Sequence, residues 1–132
     1  MEPKYRSLNA YQEAKELVKQ VYELIKKFPK EEQYALCDQL RRAVISIPLN
    51  IAEGMGRYSA KEQIHFLEIA FGSLLEVSAQ MDIACDLSYI QRTDLEAIDD
   101  KIKNIAALLS GLRNKRTFPN TNITPSPLTL NP

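Results

Sequence analysis

Four separate stretches of this chain carry apolar residues at alternating steps of three and four, a spacing that only helices turn into continuous faces. In the first, Tyr11, Ala14, Val18, Val21, Ile25 and Phe28 align along one side, and Leu17 and Leu24 widen the stripe toward a bundle face. Glu23 and Lys27 stand four apart in the order that favours a surface pair. The second stretch is expected to start near Lys30 or Glu31 and to bury Cys37, Leu40, Val44, Ile47 and Ile51. Glu31 and Glu32 then suit the positive end of its dipole. The third stripe is Ile64, Leu67, Phe71, Leu74, Ser78, Met81 and Cys85; the fourth is Leu95, Ile98, Ile102, Ile105, Leu109 and Leu112. No segment shows the two-residue alternation of a half-buried strand.

The punctuation between these stretches agrees. Phe28-Pro29 ends the first helix, because a residue before proline avoids the helical region. Gly54 or Gly56 ends the second as a left-handed C-cap. Ser59-Ala-Lys-Glu62 reads as a capping box opening a third helix that reaches about Tyr89, and Thr93-Asp-Leu-Glu96 reads as another opening the fourth. Arg113, Lys115 and Arg116 fall in its last turn, where cations meet the negative dipole end. Short joints make antiparallel neighbours, so the expected fold is all-α, an up-down-up-down antiparallel four-helix bundle over residues 1–116. Residues 117–132 carry no charge and several prolines, which predicts an extended or disordered tail. Asn122-Ile-Thr124 in that tail matches a glycosylation sequon, of little meaning without a secretion signal.

At 132 residues the chain suits one domain. Seventeen basic residues balance seventeen acidic ones, which argues against indiscriminate nucleic-acid binding while leaving room for a local patch. The amino terminus lacks the apolar core of a secretory signal, and no apolar run approaches the roughly 20 residues of a membrane span. A cytoplasmic protein with no membrane partner is the expectation. Cys37 and Cys85 are too few for a disulfide framework and sit on core stripes, where cysteine behaves as a small hydrophobe.

The chemical motifs are weak. Glu62-Gln-Ile-His65 has the spacing of a di-metal bundle site, but such a site repeats the motif on a second helix and this chain has one histidine. His65 also lies about 160° around the helix from Leu67 and so points away from the core. Gly54-Met-Gly56-Arg57 follows a helix, whereas nucleotide loops follow a strand. No nucleophile, base or paired-carboxylate constellation can be assembled, so neither an enzyme nor a metal or cofactor is expected. Arg57 and Lys61, beside the free amides after Ser59, remain a candidate phosphate contact. Arg41 and Arg42 read either as surface ion-pair partners, with Asp38 four residues before Arg42, or as nucleic-acid contacts.

The second helix is apolar on nearly all sides. Ile45 and Leu49 fall opposite Leu40, Val44 and Ile51, and the third helix places Ile69 and Ile83 on an otherwise polar arc. Four helices cover one side of each, so the extra apolar positions predict self-association. Pro48 removes a backbone donor and predicts a kink. Asn50 and Glu53 are placed to satisfy freed backbone groups or hold the next turn, though exposed positions serve equally.

Phe28-Pro29, Gln39-Leu-Arg-Arg42, Ser46-Ile-Pro48, Asn50-Ile-Ala-Glu-Gly54, Gly56-Arg57 and Gly72-Ser73-Leu74 together carry a likeness. From Leu8 to Leu112 the chain resembles the bacterial four-helix-bundle family named after proteins encoded in intervening sequences of large-subunit ribosomal RNA genes. Tyr11 stands where a tryptophan is often found in that family. The resemblance implies a ring-like homopentamer without known enzymatic activity. It also implies kinship with accessory factors of diversity-generating reverse transcriptases, whose basic exterior engages nucleic acid. The expected function is a non-enzymatic oligomeric scaffold that contacts RNA or DNA through Arg41, Arg42, Arg57, Lys61 and Arg116. The alternative is a protein-binding adaptor without nucleic-acid contact.

Overall fold

The computed structural model describes residues 2–118, and the expectation of an extended or disordered tail lies, from residue 119 on, outside the described residues. Four helices account for the fold: α1 (Asn9–Ile25), α2 (Leu36–Met55), α3 (Ala60–Asp86) and α4 (Arg92–Thr117). Short 3-10 turns at Lys4–Ser7 and Lys30–Glu32 precede α1 and α2. Each helix packs on its neighbours in the chain and α4 closes back on α1, with the largest interface between α2 and α3. Cross-links run antiparallel: Lys27 meets Asp94 at one end of the α1–α4 pair, and Glu13 meets Lys101 further along it. The expected bundle is therefore the observed one.

The core is one contiguous aliphatic cluster in which Leu17, Leu40, Ile47, Ile51, Leu67, Leu74, Met81, Ile102 and Leu109 are among the fully buried side chains. Each such aliphatic side chain contributes about 1.5–3 kcal/mol relative to exposure. The α2 and α4 stripes appear as expected, apart from half-buried Leu112. On α3 the buried face is rotated toward α2: Ala70, Val77 and Ala84 are buried, while Ile64, Phe71, Ser78 and Cys85 are half-buried. Gly54 of α2 lies directly under Phe66 and Gln63 of α3, so its lack of a side chain lets the two helices approach there.

Several boundaries differ from expectation. The first helix stops at Ile25, three residues before Phe28, and its last turn tightens through Lys27 N–H to Leu24 O and Phe28 N–H to Ile25 O. The second begins at Leu36 instead of Lys30. Pro29 favours a 3-10 turn there, and Ala35 (φ −118°, ψ −100°) separates that turn from the helix. Neither Gly54 nor Gly56 is left-handed; Gly56 keeps φ −88°, and the chain leaves α2 through Gly56 N–H to Glu53 O and Arg57 N–H to Gly54 O.

The left-handed cap falls instead at Ser88 (φ 64°). Tyr89 N–H reaches Ala84 O and Ser88 N–H reaches Cys85 O, each at 2.9 Å, which is a Schellman motif ending α3 at Asp86, short of Tyr89. The box expected at Thr93–Glu96 sits two residues earlier, with the Asp94 carboxylate accepting the Gln91 N–H at 3.0 Å. Ser59 caps α3 as expected, its hydroxyl oxygen accepting the Glu62 N–H at 3.1 Å.

Candidate functional site

The outer surface of the α2–α3 pair carries several exposed aliphatic residues, besides exposed Tyr34 before α2 and Tyr58 in the α2–α3 turn. Leu49 is 62% exposed, Ile69 38% and Ile83 50%; Leu87 just beyond α3 is 49% exposed. Ile45 differs: it is half-buried and packs against the core. The antiparallel register, marked by Ser46 against Ser73 and Gly54 against Phe66, places Leu49 level with Ile69. Ile83 lies about 21 Å further along α3, at 1.5 Å per residue. Between these levels runs a polar seam. Ser73 Oγ donates to Ser46 Oγ at 2.9 Å, and Asn50 Nδ2 lies 2.8 Å from Ser46 O and 2.9 Å from Ser46 Oγ. Asn50 thus grips Ser46 and not the Val44 carbonyl that Pro48 leaves free. Pro48 itself is buried inside an unbroken α2.

A second site forms where α2 ends, α3 begins and α4 ends. Gln63 joins all three: its Nε2 donates to Arg57 O and its Oε1 accepts from Arg116 Nε, both at 2.7 Å. Arg116 also donates to Leu112 O at 2.8 Å and lies 3.2 Å from Met55 Sδ. Burial holds its guanidinium below the ordinary arginine value. Arg116 is thus a structural clamp between helices. Arg57 is bound to Glu53 and lies 4.8 Å over the Phe66 ring, so Glu53 holds the turn. Lys61 is exposed in the first turn of α3. Arg41 and Arg42 lie elsewhere, in the first half of α2. Arg41 donates to Asp38 Oδ1 at 2.8 Å and to Gln33 O at 3.0 Å, and the Asp38 bond raises its pKa; Arg42 is exposed. The expected basic set is therefore split between two places.

Sequence reasoning missed the Gln63 clamp, the Ser46–Asn50–Ser73 seam and an uneven distribution of charge. Antiparallel order brings the start of α1, the α2–α3 turn and the end of α4 to one end of the bundle. There Lys4, Arg6, Arg57, Lys61, Arg113, Lys115 and Arg116 outnumber Glu2, Glu53 and Glu62. At the opposite end, Glu23, Glu31, Glu32, Asp38, Asp82, Asp86, Asp94, Glu96, Asp99 and Asp100 outnumber Lys26, Lys27, Lys30, Arg41, Arg42 and Arg92. Burial, with Asp82 nearby, pushes the Asp99 carboxyl up. The neutral total conceals this polarity, which shows only once the helix directions are known.

Reactive side chains are scattered by comparison. Cys37 is buried, which pushes its thiol up, and Cys85 is half-buried. His65 is exposed, edge-on to Phe66 at 5.4 Å. Among the described residues no group of three or more His, Cys, Asp or Glu is placed to hold a metal ion. Open grooves of about 340 and 270 Å³ run between α1 and α4, one floored by Leu24 and Ile98, the other by Ala10 and Leu108. Among the described residues no helix is long and apolar enough to cross a membrane.

Fold and surface together define an antiparallel four-helix bundle with an apolar outer flank and unlike ends. Residues 6–111 match the family model described as 23S rRNA-intervening sequence protein, and the chain belongs to that family. No curated protein matches the chain.

Proposed function

We propose that this protein is a non-catalytic cytoplasmic scaffold that works as an assembly of identical copies and, in that form, holds RNA or DNA as an accessory factor. The observation that carries the reading is the solvent exposure of Leu49, Ile69 and Ile83 on a single flank of the α2–α3 pair. Apolar surface grouped in this way marks contacts between proteins. Five copies, and service beside a reverse transcriptase, are what the family likeness implies. Exposed Lys61 and the rest of the basic end supply cations for phosphate, and exposed Arg42 stands apart from them in the first half of α2. A protein-binding adaptor is the second reading, favoured by Arg41 and Arg57 already being paired with Asp38 and Glu53.

Sedimentation at micromolar concentration tests the assembly. The wild type is expected to run as an oligomer, and Leu49→Glu with Ile83→Glu as a folded monomer, because both side chains lie outside the core. A monomeric wild type would refute the scaffold. In the same samples RNA or DNA should shift at low salt and release steeply as salt rises. A partner recovered after nuclease treatment, with no such shift, would decide for the adaptor.

A further inference from the structure

The turn joining α2 to α3 holds Tyr58 with its whole side chain in solvent, at 104% relative exposure. A ring in that position contributes little to the fold, yet the backbone carrying it is held on both sides. Arg57 before it is fixed by Glu53, by the Phe66 ring and by Gln63 Nε2 on its carbonyl. Ser59 after it caps α3. The result is a flat aromatic face projecting from a rigid turn, at the basic end of the bundle, with Lys61 three residues on and Lys115 of α4 at the same end.

We propose that Tyr58 is a stacking platform for an unpaired base of single-stranded nucleic acid, with Lys61 and neighbouring cations taking the flanking phosphates. This rests on the nucleic-acid half of the function proposed above and adds which kind of strand is held and by what. Base–aromatic stacking needs a base whose face is free, and every base has such a face, so the contact tolerates any sequence. In a duplex those faces are already covered by neighbouring base pairs. A turn that ends in a single protruding ring therefore selects an unpaired strand. The acidic end repels phosphate and so orients the bundle, basic end first.

The test uses the full chain with a labelled single-stranded RNA, the matching single-stranded DNA and the corresponding duplex. Tyr58→Ala is expected to weaken binding of at least one single strand by roughly 5- to 150-fold, as loss of one stacked base does. Tyr58→Phe should bind as the wild type, while duplex binding, melting temperature and sedimentation of Tyr58→Ala stay unchanged. The two single-stranded arms tell RNA from DNA. Lys61→Ala should weaken all probes together and flatten the salt dependence. Equal binding of single strands by Tyr58→Ala and wild type would overturn the platform and leave the nucleic-acid reading standing. A change in sedimentation with Tyr58→Ala would overturn it too, by assigning the ring to contacts between copies. A wild type that binds none of the three probes at low salt would overturn both readings.

Discussion

Gly54 is small because α3 passes directly over it. A Cβ at that position would lie 3.0 Å from Phe66 Cβ and 3.3 Å from Gln63 O, atoms held by the α3 backbone. Gly111 on α4 has nothing within 4 Å of the same construction. Alanine is the better helix former by about 1 kcal/mol at either site. Gly111→Ala should therefore stabilise by about 0.5–1 kcal/mol, whereas Gly54→Ala should lose about 1 kcal/mol net, because overpacking outweighs the propensity gain. Urea titration of the two variants checks the opposite signs. The sequence marked Gly54 as special for the wrong reason: a glycine near a helix end suggests a left-handed cap, and close helix contact leaves no local trace. Arg116 is a similar case. A cation in a last helical turn suggests surface or phosphate, but Gln63, Leu112 and Met55 surround this one.

For α4, the start depends on Asp94. Its carboxylate accepts the Gln91 N–H and pairs with Lys27 Nζ at 3.2 Å, and those contacts, the Gln91 bond foremost, hold its pKa below the ordinary aspartate value. A depressed carboxylate adds stability that is fully present above the unfolded-state pKa and lost as pH falls through the folded one. Asp94→Ala should thus cost about 1 kcal/mol at neutral pH, the usual worth of a helix cap. The gap between variant and wild type should close in acid, below roughly pH 4. Thermal melts of both proteins across that range measure it, and a gap that stays constant would remove Asp94 from the cap. Helix α3 illustrates what patterning reads less well. Its long stripe was legible as helix, yet the buried arc lies nearer Ala70, Val77 and Ala84 than the large residues suggest. Alanine is ambiguous by hydropathy, and only a close neighbour makes it core.

Across the whole molecule, the proposed assembly would link association to stability. Copies that associate only when folded draw the folding equilibrium with them, so the melting temperature should rise with protein concentration. Leu49→Glu with Ile83→Glu should melt at a temperature independent of concentration, and a wild type that behaves in the same way would speak against association. Charge is the other property of this scale. Added along the chain it vanishes, but folded antiparallel it separates into a basic and an acidic end.

Helix number, helix type, antiparallel order and most of the buried aliphatic residues were set by the chain alone, because a 3.6-residue period and its breakers act over a few residues at a time. Tertiary structure decided which small residues lie under a neighbouring helix, which arginines are clamped and which are exposed, and where the net charge gathers. Those properties depend on residues far apart in sequence, such as Gln63 and Arg116, being carried to the same place by packing.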